Sequence, residues 1–560
     1  MTFHTDLIVT LILGLFLHAQ GDNTDQHAPV VKTTLGSLKG GYVTVKGKET
    51  GAHAFLGVPF AKPPVGPALR LAPPQPVEKW DGVKDATQQP HMCIQSKGLL
   101  ADLYSKVGMK IEVLDISEDC LYLNIYTPAN TAPDAKLPVM VWIHGGGFVM
   151  GAASSYDGSA MAVYEDVVVV LIQYRLGLLG FLSTGQEDMA GNFGLLDQIE
   201  ALKWVQQHIH NFGGNPDLVT IYGESAGGMS VSLLFLSPLS NGLFHQGIAE
   251  SGTAHTIFDI FQMDPVLTAQ MAANMSGCSL ESTEMIGNCM RNIDLQKIVD
   301  LLEKPELLFI VTVDGHFLTK PVDELYRNQQ FLKVPFMTGI TSDEGGWLLP
   351  SFMAPQNWTE GMTRDEVKAG LSLFYRPEPK DVALNLIVDE FTGKSEDPKM
   401  LRKAFTDVLG DFIFTVPALK TIKAHTDAGA PVYVYEYNFS PPMQKKLRPD
   451  FVGADHGDEV FAVFGMCLTT THIQLNEECS KEEIDLSLSV MKYWANFART
   501  GSPNGDGLVH WPQYGEEENY LFIDTEQVVR QGLRKEHFVF LTQTLPKMLQ
   551  ELEKKEHTEL

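Results

Sequence analysis

Gly223-Glu224-Ser225-Ala226-Gly227 sets a serine between glycines directly after the apolar run Leu218-Val219-Thr220-Ile221-Tyr222. The pattern predicts a strand, a sharp turn with the serine at its apex, and then a helix. Glycines flank such a serine because the backbone there is crowded and side chains would clash. The hydroxyl then stands clear of the sheet, where a base and a carbonyl carbon can both reach it. The chemistry this implies is covalent acyl transfer, in which Ser225 Oγ attacks a carbonyl. The same pentapeptide also occurs in ordinary tight turns, so the rest of the chain must supply the partners.

Three partners are required. An oxyanion needs donors, and His144-Gly145-Gly146-Gly147 follows the apolar run Leu137–Ile143. Glycines there let backbone N–H groups approach a substrate, and the residue after the serine supplies a further donor. The candidate oxyanion hole is therefore the N–H groups of Gly146, Gly147 and Ala226. Losing one such donor typically costs about 3–4 kcal/mol of transition-state stabilisation. The base is a histidine. Hydrolases with this turn run serine, acid, histidine along the chain, which selects His456, in Gly453-Ala454-Asp455-His456-Gly457-Asp458-Glu459. His144 precedes the serine and is expected to order the oxyanion loop, while His208, His210 and His245 lie too close to Ser225 for that order. The acid belongs between Ser225 and His456. Asp343 and Glu344 both follow the run Val334–Ile340, and spacing does not separate them. Its role is to hold the imidazole's tautomer and stabilise the imidazolium.

Elements that could position these groups recur along the chain. Short apolar runs at 137–143, 167–174, 218–222, 246–250, 334–340, 432–437 and 520–523 read as strands buried on both faces. Leu195–His208 shows helical spacing. Strands alternating with helices predict an α/β fold on a mostly parallel central sheet flanked by helices. Residues 30–61 alternate more and are expected as small antiparallel strands at the sheet edge. Residues 255–330 and 350–430 carry helical patterns only, and are expected as insertions over the carboxyl edge, where open α/β sheets bind ligands. Phe148, Met150 and Trp347 would suit lipophilic groups.

Composition narrows the partners. The chain has 560 residues, 44% of them hydrophobic, and a formal net charge of −27. No basic stripe offsets that charge, which disfavours nucleic acid and anionic lipid surfaces. Leu7–Leu17 followed by Ala19-Gln20-Gly21 reads as a signal peptide over residues 1–21, leaving 22–560 as a single domain with no transmembrane segment. The terminal His557-Thr558-Glu559-Leu560 resembles an ER-retrieval signal, so a retrieval receptor is an expected partner and the ER lumen the expected address. Cysteine use agrees with an oxidising compartment. Proximity favours disulfides Cys93–Cys120 and Cys278–Cys289, with Cys467 and Cys479 either paired or free. Sequons at Asn274 and Asn357 are the glycosylation candidates, with Asn438, followed closely by Pro441, the weakest. No metal-type spacing appears, and neither metal nor cofactor is expected. A monomer or weak oligomer is expected.

The longer motifs are more specific. Phe212-Gly213-Gly214-Asn215-Pro216 through Gly228, and Glu118-Asp119-Cys120-Leu121-Tyr122-Leu123-Asn124, resemble the two signatures of the type-B carboxylesterase/cholinesterase family. The resemblance runs from Phe55-Leu56-Gly57-Val58-Pro59-Phe60-Ala61 to Tyr493-Trp494-Ala495-Asn496-Phe497-Ala498, and is strongest to the vertebrate ER-lumenal carboxylesterase 2 branch. It implies an α/β-hydrolase fold and a serine carboxylesterase acting on lipophilic esters through an acyl-enzyme. It also implies Glu344, rather than Asp343, as the acid, and supports His456 and the Cys93–Cys120 disulfide. Thioester, acylcarnitine or glyceride hydrolysis on the same residues is the alternative. A non-enzymatic adhesion relative would lack part of the serine–acid–histidine set, which is complete here.

Overall fold

Val139, Val141 and Ile143 pack into one apolar cluster, and Met140 and Trp142 into another. Val168, Val170 and Ile172 divide from Val169 and Leu171 in the same way. Successive strand residues point to opposite faces, so an unbroken apolar run needs cover on both sides. Helices provide it. Trp142 is fully buried. Removing such a ring from water contributes roughly 4–6 kcal/mol.

The computed structural model describes residues 28–559 except 133, 188, 261–263, 305 and 376, and does not describe the side chains of 555–559. The leader expected at 1–21, Leu560 and the side chains of 557–559 therefore lie outside the described residues. Among the described residues the central sheet has eleven strands. In chain order these are β1 (Gly41–Val43), β2 (Ala52–Pro59), β3 (Tyr122–Pro128), β4 (Leu137–Ile143), β5 (Val168–Ile172), β6 (Gly214–Glu224), β7 (Gln246–Glu250), β8 (Phe336–Thr341), β9 (Val432–Tyr437), β10 (Asn519–Ile523) and β11 (Val528–Gln531). Across the sheet the order is β11-β10-β9-β8-β7-β6-β4-β5-β3-β2-β1. From β10 to β5 every pairing is parallel, and antiparallel strands close both edges. This is the α/β-hydrolase fold.

Two expectations need correction. Only β1 and β2 from the early region join the sheet edge. Ser37–Lys39 pairs with Val30–Lys32 on one side and with Val83–Asp85 on the other, in a separate three-stranded sheet. Strand β6 also begins at Gly214 rather than Leu218, because its register with β4 shifts between Gly214 and Val219. The two insertions are helical, as in Pro265–Ser276 and Lys380–Thr392. Three disulfides join Cys93 to Cys120, Cys278 to Cys289 and Cys467 to Cys479.

Candidate active site

Ser225 follows the last residue of β6 and caps the helix Ala226–Leu236, with φ 55° and ψ −122°. A non-glycine residue in that region stores roughly 1–3 kcal/mol of strain, held in place by its surroundings. The surroundings are tight. A Cβ on Gly223 would lie 2.4 Å from the Ile143 carbonyl oxygen, and one on Gly227 only 1.9 Å from it. Both positions must be glycine for β6 and its helix to pass β4 this closely. Ser225 lines a cavity of about 430 Å³ whose wall also includes Gly146, Gly147 and His456.

The glycine loop meets the elbow directly. A Cβ on Gly145 would fall 3.1 Å from Ser225 Cβ. Gly146 and Gly147 have φ of 100° and 63°, which other residues adopt only at a cost. The N–H groups of Gly146, Gly147 and Ala226 have no protein acceptor among the described residues. For Ala226 the reason is general, since the first N–H groups of a helix lack intrahelical partners. His144 is buried, stacks on Tyr174 at 4.4 Å between ring centroids and bonds Gly145 O at 2.9 Å. Burial pushes its pKa down to about 4, so it stays neutral. Gln95 clamps the far end of the loop, accepting from Gly151 N at 2.8 Å and donating to Gly151 O at 2.9 Å.

The acid and the base come from neighbouring strands. Glu344 lies just past β8, and His456 in the loop after β9. His456 Nδ1 and Glu344 Oε2 are 2.7 Å apart, and Glu344 Oε1 accepts from Thr341 N at 2.8 Å. Asp343 turns the other way and accepts from Gly453 N at 2.8 Å. His456 Nε2 lies 3.0 Å from Glu224 Oε1. Among the described residues Ser225 Oγ has no hydrogen-bond partner, and no bond joins it to His456. Catalytic hydrogen bonds are commonly long or unformed in substrate-free sites. Phe414 stacks on the imidazole, centroids 4.3 Å apart, from a π-helical turn at Asp411–Thr415.

Electrostatics follow from this crowding. Burial alone would lower the His456 pKa, but Glu224 and Glu344 outweigh it and raise it to about 9. Burial raises the Glu224 carboxyl to about 7 and that of Glu250, which accepts from Trp494 Nε1, to about 8.

Arg448 sets the loop that carries His456. It is buried against the carboxylate of Asp458, hydrogen-bonds Ser440 Oγ, and donates to Gly453 O at 2.9 Å. Asp455 in turn accepts from Trp347 N at 3.1 Å and Leu348 N at 2.8 Å, tying this loop to the one after Glu344. Removing one partner of a buried ion pair strands the other charge, at about 3–5 kcal/mol. Arg448→Ala is therefore expected to lower the free energy of unfolding, read from chemical denaturation, by that amount. A loss under 1 kcal/mol would show the pair is not needed.

Among the described residues no metal-binding group and no helix able to cross a membrane is found. The carboxylesterase family model matches residues 27–541. The chain belongs to the carboxylesterase family. It is 45% identical to rat pyrethroid hydrolase Ces2e over 99% of this chain and 96% of the relative. It is 44% identical to duck medium-chain fatty acyl-CoA hydrolase precursor over 100% and 99%, and 44% identical to human cocaine esterase over 98% and 97%. This carboxylesterase is a carboxylic-ester hydrolase, similar to the carboxylesterase 2 type.

Several groups around the carboxylesterase site were not assigned from sequence. Glu224 carried a visible signal, being a carboxylate beside the nucleophile. Arg448 and Phe414 carried none, since their contacts with the His456 loop arise only from the fold. Phe148 and Met150 line the cavity, whereas Trp347 lies off its wall, stacked towards Trp358 at 6.3 Å. Leu348 and Leu349 take its place in the lining.

Proposed function

We propose that Ser225, His456 and Glu344 form the catalytic triad of a serine carboxylesterase, with Gly146, Gly147 and Ala226 as the oxyanion hole. The observation that carries the reading is the 2.7 Å contact of His456 Nδ1 with Glu344 Oε2, with Nε2 on the side of the elbow. Ser225 Oγ attacks the ester carbonyl while His456 Nε2 accepts its proton. The carbonyl oxygen becomes an anion against the three N–H groups. Collapse breaks the bond to the alkoxide, which takes the proton from His456 and leaves as alcohol. Water then attacks the acyl-enzyme by the same steps, releasing the acid and restoring Ser225. Glu344 orients the imidazole and balances its charge.

Neutral lipophilic esters suit the cavity best, because its lining is largely apolar and holds no lysine or arginine. A thioester or acylcarnitine could use the same chemistry, and relatives carry the names fatty acyl-CoA hydrolase and acylcarnitine hydrolase. Labelling with an organophosphate tests the triad. One adduct per chain on the peptide containing Ser225 is expected, with activity falling in step. Inactivation that leaves Ser225 unmodified would refute the assignment.

The address proposed is the ER lumen. The terminal His557–Leu560 supports it, as do exposed sequon asparagines at Asn274 and Asn357. Asn438 is less available, since its Nδ2 donates to Asp524 at 2.7 Å. Deleting residues 557–560 is expected to send the protein into the medium. Retention without them would rule the tetrapeptide out as the signal.

A further inference from the structure

Among the described residues Phe352 is the one large side chain of the cavity wall that is exposed, at 42%, so it marks where the cavity meets solvent. It lies on the short helix Pro350–Met353, beside Leu349 and Met353, which also line the wall. The helix Lys97–Lys106 supplies another part of the wall through Leu100, Leu103 and Tyr104. Its last residue, Lys106, sets Nζ 5.2 Å from the centre of the Phe352 ring. Asp102, one turn earlier, accepts from the same ammonium at 2.6 Å. A cation at that distance over an aromatic face is attracted to it. Two parts of the wall that are far apart in the chain thus touch at the mouth of the cavity.

The helix Lys97–Lys106 is lightly held. It buries only Leu100 and Tyr104, which pack with Met92 and Ala152 in a small cluster separate from the two that flank the sheet. Elements with few buried apolar contacts open at low cost. We propose that Lys106 and Phe352 are specificity-determining residues: their contact is a clasp that narrows the mouth, and bulky esters enter only when it parts. A substrate that needs the parted form loses apparent affinity in proportion to how rarely that form occurs, whereas a small ester loses less. An exposed cation–aromatic contact shifts such an equilibrium by about two- to fivefold, enough to grade substrates by size without shutting the site. The inference rests on the esterase reading above and adds to it how substrates are selected at the entrance, away from Ser225.

The test measures kcat/KM for 4-nitrophenyl acetate and for two bulky esters, one with an adamantyl group in the acyl part and one with it in the alcohol part. Active sites are counted by organophosphate titration of Ser225. In Lys106→Met, which keeps the length of the side chain and removes its charge, the bulky-to-small ratio is expected to rise about two- to fivefold over wild type for at least one bulky ester. Phe352→Leu should raise it similarly, and Lys106→Arg, which keeps the cation, should leave it near wild type. The opposite manipulation locks the clasp. Every cysteine of the chain is in a disulfide, so the double variant Lys106→Cys, Phe352→Cys adds two free thiols that a short bismaleimide can bridge. Bridging is expected to lower the ratio about tenfold or more relative to the unbridged double variant. A ratio unmoved by Lys106→Met for both bulky esters would overturn the proposal, as would one that Lys106→Arg raises as much, or one unmoved by bridging. Ser225 would still be labelled in each of these cases, so failure here is distinct from failure of the triad, which would appear as an unlabelled Ser225 in the wild type.

Discussion

Ser225→Ala is expected to lower kcat for an activated ester by on the order of 10⁶-fold, the scale for losing a triad nucleophile. The variant should fold, because the side chain makes no hydrogen bond among the described residues and the backbone bonds of the turn do not involve Oγ. Ser225 N donates to Glu250 O and Ser225 O accepts from Met229 N in either case. The free energies of unfolding of the variant and the wild type should therefore agree within about 1 kcal/mol, the usual scale of a benign substitution. Substrate binding should survive, since the cavity and the three free N–H groups remain. A variant with more than a hundredth of wild-type activity would place the nucleophile elsewhere.

His456→Ala should cost on the same order, 10⁶-fold in kcat, and Glu344→Gln about 10⁴-fold. The two should not add in the double variant, because both act through one proton transfer. The pH profile gives a sharper reading. His456 can accept the serine proton only when neutral, so activity is lost as pH falls through its pKa. Glu224 and Glu344 hold that pKa up, at about 9, against the lowering effect of burial. The acidic limb of kcat/KM is thus expected above the ordinary histidine value of about 6.5. Glu224→Gln removes the carboxylate 3.0 Å from Nε2 and should move the limb to lower pH. An unmoved limb would show that Glu224 does not act on the base.

The parts legible in the sequence are those that physics makes local. β4 is a continuous apolar run because both its faces are covered, and the strands β4, β7 and β9 span the same residues as the runs named from the sequence. β3 (Tyr122–Pro128) lies outside the apolar runs named above and carries a polar Asn124. In the fold Asn124 is buried and satisfied, accepting from Gly57 N at 2.9 Å and donating to Gln89 at 2.8 Å. β6 begins before the apolar run Leu218–Tyr222, because a shift in register carries Asn215 and Pro216 into the strand. The elbow and glycine loop announce themselves because close backbone approach demands glycine. Asp343 and Glu344 could not be separated by spacing. They sit side by side after β8, and only the placement of β9 next to β8 brings the His456 loop to one and Gly453 to the other. The clasp of Arg448 on Asp458 is invisible for the same reason, as is the stacking of Phe414. Neither has a local pattern, and both depend on how distant segments cross.

The most direct measurement is a crystal structure of the protein after reaction with a phosphonate ester. Phosphorus should be bonded to Ser225 Oγ, with the phosphonyl oxygen about 2.7–3.1 Å from the N–H groups of Gly146, Gly147 and Ala226, and with His456 Nε2 turned from Glu224 towards the adduct. Phosphorus on any other side chain, or an imidazole of His456 out of hydrogen-bonding reach of the adduct, would contradict the account.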